Sequence, residues 1–238
     1  MRAIRLREHK GRTRVTIFII NPNSSRAVTD GIDRAMQPLR VVSPVPIAAI
    51  QLDEGPKGIE TQAHVDGVVS PLLARAAALE SAASAFVVAC FSDPGLAALR
   101  EQSRVPVLGI AESAILTAMT LGQRFGILSI LWKSVPRHMR MLGAMGVKDR
   151  LAADLPLELG VAELTDRTRT FARLQSVGTT LRDMHGAEVL ILGCAGMTSY
   201  RAELSDSLGC PVVEPCEAAA AMAIGRVALA KAYQSTRG

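Results

Sequence analysis

Cys90 and Cys194 are the residues of this chain whose type and placing invite chemistry. Each closes a short apolar run, Ala85-Phe86-Val87-Val88-Ala89 before the first and Val189-Leu190-Ile191-Leu192-Gly193 before the second. Each is followed by small or turn-forming residues, Phe91-Ser92-Asp93-Pro94-Gly95 and Ala195-Gly196-Met197-Thr198. Continuous apolar runs of this length read as strands buried on both faces. In a parallel α/β sheet, sites form beyond the carboxyl ends of the strands, where helix N-termini point. Asp93 followed by Pro94 reads as a helix N-cap with proline in the first turn, which sets the amides of Phe91 and Ser92 at a helix start. Those N–H groups and the positive end of the helix dipole favour an anion. They are expected to lower the thiol pKa from its usual ~8.5 toward neutrality. The same groups are placed to hold a substrate oxygen that turns negative in a transition state.

Two equivalent thiols facing one another suit one reaction class. One thiolate removes a proton from a carbon next to a carbonyl, and the opposite thiol delivers a proton to the other face. The stereocentre inverts and no cofactor is needed. Like charges repel, so one proton shared between two sulfurs is the state this chemistry requires. A lone cysteine is more often a small core hydrophobe, and it is the repetition that distinguishes this pair. Pro106-Val107-Leu108 with Glu112-Ser113-Ala114 is echoed by Pro211-Val212-Val213 with Glu217-Ala218-Ala219, again at a separation of about 105 residues, the mark of an internal duplication. Cys210 and Cys216 have no such counterparts and read as structural. A Cys90–Cys194 disulfide is the other pairing the spacing permits, at odds with a reducing compartment. Glu112 and Glu217 read as first-turn acids or as anchors behind the site. Asn21, at the end of the first strand, is a candidate substrate hydrogen-bond donor and equally a capping residue. His138 falls inside a helix and reads as structural.

The elements that must position these residues alternate in type. Val15 to Ile20 is a strand, the turn formers Asn21-Pro22-Asn23-Ser24-Ser25 follow, and a helix carries Val28, Ile32, Ala35, Met36 and Leu39 on one stripe. Val41 to Leu52 reads as an extended edge strand broken by Pro44 and Pro46. Asp53 to Gly58 is a loop suited to a wall or lid, and residues 59–83 read as helix. Strand 85–89, a helix from Pro94, strand 105–110 and helix 111–121 complete a first lobe. Arg124 to Leu131 opens the second, followed by a helix from Ser134 to Met145. Residues 147–160 read as a connection and 161–184 as mostly helical. A strand to Gly193, a helix, strand 211–214 and an alanine-rich helix from Glu217 end the chain. The pattern predicts an α/β protein of two pseudo-symmetric lobes, each a mainly parallel sheet flanked by helices, with a site in the cleft between them. The expected divisions are a basic extension over 1–13, lobes over 14–120 and 121–216, and a C-terminal helix over 217–238 packing back onto the first lobe.

Composition narrows the class. In 238 residues, 49% hydrophobic, there is enough apolar material for a large core, while 3% aromatics argue against base-stacking surfaces. The net charge of +5 is scattered apart from Arg2, Arg5, Arg7, Lys10, Arg12 and Arg14, which read as a solvated extension and not as a nucleic-acid arm. No run approaches the ~18 apolar residues of a membrane span. Without a secretory pattern the four cysteines read as reduced thiols in a cytoplasmic protein. The histidines at 9, 64, 138 and 185 lack ligand spacing, so no metal is expected.

Asn21-Pro22-Asn23-Ser24-Ser25, Gly55-Pro56-Lys57-Gly58-Ile59-Glu60, Cys90 to Leu96, Pro106 to Glu112 and Gly193-Cys194-Ala195-Gly196-Met197 together resemble the hydantoin racemase branch of the aspartate/glutamate racemase superfamily. The resemblance covers nearly everything after Thr13. It implies a cofactor-independent, two-base mechanism with Cys90 and Cys194, on 5-substituted hydantoins or allantoin. It also implies that the amides of Phe91, Ser92, Ala195 and Gly196 bind a substrate carbonyl or carboxylate, and that the chain forms a homo-oligomer with a small molecule as its partner. Asp93 matches an aspartate common in that branch. Amino-acid racemases of the superfamily carry Cys-Asn-Thr and Cys-Thr at the two sites, where this chain has Cys90-Phe91-Ser92 and Cys194-Ala195. A neutral cyclic imide needs fewer donors than a free amino acid's carboxylate. Arylmalonate decarboxylases keep one of the two cysteines, so the presence of both favours racemisation. The alternatives left open are an amino-acid racemase, a cis–trans isomerase or a decarboxylase of the same superfamily. From another class, a non-catalytic small-molecule binding protein also remains.

Overall fold

A computed structural model describes residues 15–235; the basic group before them lies outside the described residues. The first half runs β1 (Thr16–Asn21), α1 (Arg26–Ala35), α2 (Gln37–Val42), β2 (Ile47–Gln51), α3 (Gln62–Gly67), α4 (Val69–Leu79), β3 (Ala83–Val88), α5 (Leu96–Gln102), β4 (Val107–Gly109) and α6 (Ile110–Leu121). The second runs β5 (Phe125–Ser129), α7 (Val135–Met145), β6 (Leu151–Pro156), α8 (Arg167–Asp183), β7 (Val189–Leu192), the 3-10 stretch Ala195–Tyr200, α9 (Arg201–Leu208), β8 (Val212–Val213) and α10 (Pro215–Ser235).

Each half forms one four-stranded sheet, and the two share one order: β2-β1-β3-β4 and β6-β5-β7-β8. All pairings are parallel. β3 and β7 are central and buried almost throughout, as their unbroken apolar sequences require. Both hand on to a cysteine. Ile20 pairs with Val88 and Leu128 with Leu192, so in each sheet the two central strands end level with one another at the rim that carries that cysteine.

The lobes hold together by exchanging their last helices. α6 follows the first sheet but packs on the second, where Ala111, Ala114, Ile115 and Ala118 share a core with Phe125, Ile127, Val189 and Ile191. α10 follows the second sheet and packs against β3, β1 and β4 of the first. The two helices also pack on each other. Small residues along both, Ala111, Ala114, Ala118, Ala219, Ala220 and Ala223, are fully buried, which lets the backbones approach closely. A sequence division near residue 120 therefore assigns α6 to one lobe while its apolar face completes the other.

Several local expectations change. Residues 147–160 contain β6, the second lobe's edge strand and the counterpart of β2. Its alternation of burial is weak and Pro156 ends it, so it carries little strand signal. Val41 and Val42 close α2 instead of opening the edge strand. The helix expected over 59–83 is α3 and α4, with a 3-10 turn at Glu80–Ala82. Asp93 does not cap α5: that helix starts at Leu96 behind Gly95, whose φ of 65° is left-handed.

Candidate functional site

Cys90 and Cys194 line one cavity between the lobes, roofed by Ile59 and Val161 and walled by Val28, Ala89, Ile130 and Gly193. Its volume is about 30 Å³, room for a water but not for a ring. Across a partition of Val28, Val161, Ala195 and Gly196 lies an outer chamber of about 290 Å³, with Arg34, Arg167, Thr198 and Ser199 on its walls. All four cysteines are free thiols. Phe91, Ser92, Ala195 and Gly196 also line the inner cavity.

Each sulfur is met by the amide two residues on. Gly196 N donates to Cys194 Sγ over 3.3 Å, and the amide of Ser92 does the same for Cys90. These bonds favour the thiolate, but desolvation outweighs them. Each residue is only partly buried, yet burial remains the largest influence. It pushes Cys90 up to about 12 and Cys194 up to about 11. The expected fall toward neutrality is thus overturned. No long helix starts at either sulfur to supply the dipole, and the apolar roof removes water from both. Beyond the amides, the sulfurs differ in their neighbours. Cys90 has the acid Asp93 and the cation Arg137 nearby, while Cys194 has the two acids Glu60 and Glu214.

The carboxylates behind the cysteines cap the two exchanged helices. Asp93 Oδ1 and Oδ2 accept from Ala111 N at 3.0 Å and Glu112 N at 2.9 Å at the start of α6. Glu214 accepts from Cys216 N at 3.1 Å and Glu217 N at 2.6 Å at the start of α10. The amide pairs are equivalent in the repeat, but the carboxylates are not. In the second lobe the acid sits just before the helix. In the first lobe that place is Gly109, and Asp93 reaches in from the cysteine loop with a φ of 43°. Any Cβ at Gly109 would lie 2.3 Å from Asp93 Cγ. Desolvation pushes both carboxyls up to about 7.

A strap joins the lobes over the cavity. Glu60 Oε1 accepts from Val161 N at 2.8 Å, and Gly58 abuts Val161 so closely that a Cβ there would lie 2.8 Å from Val161 Cβ. Arg137, on α7, donates through Nε to Ser92 Oγ at 3.3 Å, and its Nη1 and Nη2 bind Lys133 O and Ser134 Oγ at 2.6 and 3.2 Å.

A family model described as Asp/Glu/Hydantoin racemase matches residues 17–223. The chain belongs to this family. It is 36% identical over 225 residues to a hydantoin racemase from Paenarthrobacter aurescens, covering 93% of this chain and 94% of that one. Among solved structures it is similar to an allantoin racemase from Klebsiella pneumoniae, with a TM-score of 0.84, 30% identity and coverage of 91% and 89%. An allantoin racemase from Pseudomonas fluorescens gives a TM-score of 0.83 at 26% identity, with coverage of 91% and 92%. The chain is an isomerase of the racemase class.

In this racemase Asn21 is not a cavity residue. Its amide nitrogen donates to Asn23 Oδ1 and Thr29 Oγ1, each at 3.0 Å, and its oxygen accepts from Asn23 N at 3.3 Å. It braces the β1–α1 turn, and its neighbour Asn23 lines the cavity instead. Glu112 and Glu217 stand in the first turns of α6 and α10 and also anchor neighbouring helices. Glu112 pairs bidentately with Arg100 of α5 at 3.0 and 2.5 Å, and Glu217 pairs with Arg201 of α9 at 3.0 Å, an anchoring role on which the sequence was undecided. Ser134, just before α7, and Arg137 and His138 on it line the cavity, and sequence reasoning gave none of them a place in the site. Their i, i+3, i+4 spacing was the available signal.

Proposed function

We propose that this racemase inverts the C5 stereocentre of a 5-substituted hydantoin, or of allantoin, by proton transfer between Cys90 and Cys194. One observation carries the reading: two cysteines at equivalent strand ends of a duplicated fold line one cavity, each sulfur held by the amide two residues on. The thiolate of one takes the C5 proton, leaving an enolate. The other thiol gives its proton to the opposite face and becomes the thiolate. Both the base and the acid come from the chain, so no step is assigned to a cofactor.

The positions that follow the sulfurs favour a neutral ring over a free amino acid: Phe91 and Ala195 stand there without a side-chain hydroxyl or amide, while the donors in the wall are Asn23, Ser92, Ser134, Arg137 and His138. The ring reaches the sulfurs as Ile59 and Val161 move apart, a step that loosens the Glu60–Val161 bond and the bonds from Arg137 to Glu60 O and from Arg140 to Gln62 Oε1. We infer, with the same reading, a reducing cytoplasm that keeps four thiols free and a homo-oligomeric assembly, which light scattering tests. Loss of optical rotation from enantiopure 5-methylhydantoin, and from allantoin, tests the activity. Racemisation of free glutamate or aspartate with neither imide turned over would refute the substrate class.

A further inference from the structure

Beside the two sulfurs, α7 presents a buried cluster of side chains that two-thiol chemistry does not explain. His138 is both a wall of the cavity and part of a polar network beneath it. Its Nδ1 lies 2.7 Å from Asp154 Oδ2 and 3.2 Å from Ser129 Oγ. The Ser129 hydroxyl also donates to Asp154 Oδ1. The side chains of His138 and Asp154 are only 2% and 1% exposed. The ring stands edge-on to Phe91, centroids 5.1 Å apart and planes at 82°, next to Cys90.

A buried carboxylate without a countercharge is costly. Asp154 takes one hydrogen bond from Ser129, and its remaining partner is the imidazole. The ring nitrogen 2.7 Å away is the group placed to serve as its counterpart. With Nδ1 committed to Asp154, Nε2 is the nitrogen left for the cavity, and it makes no hydrogen bond to protein among the described residues. Ser129 shares Nδ1 with Asp154 and does not reach Nε2, so the three do not form a nucleophile–base relay.

We propose that His138 is a further catalytic residue: as an imidazolium held by Asp154, it donates Nε2–H to the ring carbonyl oxygen that becomes negative when the C5 proton leaves. The inference rests on the two-cysteine reading and adds to it. Removing the C5 proton moves an electron pair from the C–H bond onto C5 and, by resonance, onto the oxygen of the neighbouring carbonyl. The donor is charged, desolvated and fixed before reaction, the conditions in which such a group contributes most. Returning a proton to C5 from the second thiol restores the carbonyl, and His138 keeps its own proton throughout.

The test uses the full chain, enantiopure 5-methylhydantoin and the barbiturate anion, a stable planar stand-in for the enolate. His138→Ala is expected to lower kcat by about 10²–10³-fold, with KM within about 3-fold, and to weaken barbiturate binding far more than hydantoin binding. Asp154→Asn acts in the same direction, and His138→Gln, which keeps a neutral donor, recovers part of the loss. In the wild type, barbiturate shifts the His138 Nε2 resonance in ¹⁵N spectra. Should His138→Ala fail to fold, Asp154→Asn and the wild-type spectrum decide. Unchanged kcat and barbiturate affinity in these variants, or an Nε2 resonance indifferent to barbiturate, overturns the proposal. Full racemisation by Cys90→Ala with loss in His138→Ala instead sinks the cysteine reading and leaves the histidine in place.

Discussion

Replacing Gly109 by alanine should uncap α6 and disturb the cysteine loop, although the residue touches no ligand. The added Cβ would stand 2.3 Å from both Cγ and Oδ2 of Asp93 and 2.6 Å from Oδ1, so the carboxylate must leave. It abandons two charge-assisted bonds, to Ala111 N and Glu112 N, each worth ~1.5–3 kcal/mol. The displaced carboxylate regains water, so the lower end applies and the loss is about 3 kcal/mol. For a chain of this size that is a drop in Tm of roughly 6–12 °C. Asp93 N also closes a turn onto Cys90 O at 2.9 Å, so racemase activity should fall with stability. The decisive arrangement is a double-mutant cycle in thermal denaturation at pH 8. Asp93→Ala alone should cost about as much as Gly109→Ala, and the two together little more than either. Asp93→Gly with Gly109→Glu copies the second lobe's arrangement, in which Glu214 caps α10 from that position, and should recover part of the loss. Additive effects of Gly109→Ala and Asp93→Ala would refute the reasoning, because they would mean the glycine is not there for the aspartate.

Other expectations follow from the same geometry. With Cys90 near 12 and Cys194 near 11, the thiolate fraction grows with pH, so kcat/KM should rise about tenfold per unit between pH 7 and 9; a profile flat across that range contradicts the burial of the sulfurs. Asp93 and Glu214 have folded-state pKa values raised to about 7. The native state therefore holds protons that the unfolded chain releases from about pH 4 upward. Their contribution is present below about pH 4, is lost as pH climbs to 7, and is constant above; chemical denaturation across pH 4–8 should show the decline, and Glu214→Gln should flatten it. Gly196→Ala would set a methyl 3.0 Å from Leu164 Cδ1 and 3.6 Å from Cys194 Sγ, in the partition to the outer chamber. It should lower kcat/KM for a 5-benzylhydantoin at least ~10-fold more than for 5-methylhydantoin; equal losses on the two would show that the substituent does not cross there.

What could be read in the sequence was what local pattern encodes. The runs before Cys90 and Cys194 are apolar on every residue, which only a doubly covered strand tolerates, and the duplication set those strands in equivalent places. β6 escaped notice because an edge strand broken by Pro156 has neither continuous burial nor clean alternation. The exchange of α6 and α10 is a tertiary choice, since an alanine-rich stripe does not say which sheet it will cover. Asp93 was read as capping the helix nearest in sequence, whereas its backbone turns left-handed and sends the carboxylate to the helix after next. His138 was read as structural and not as part of the site, because its partner Asp154 lies on the strand that was missed. The thiols were expected to be acidic from adjoining amides and a helix dipole; the burial that raises them involves residues distant in sequence, such as Ile59 beside Cys90.

The central claim is that two sulfurs serve opposite faces of one carbon. It is tested most directly by following C5–H exchange in deuterated water, by NMR, for each enantiomer of 5-methylhydantoin separately with Cys90→Ala and Cys194→Ala. The account predicts that each variant loses racemisation and that each retains exchange with one enantiomer only, the two variants choosing opposite hands. Racemisation at the wild-type rate in either variant, or the same hand exchanged by both, would contradict it.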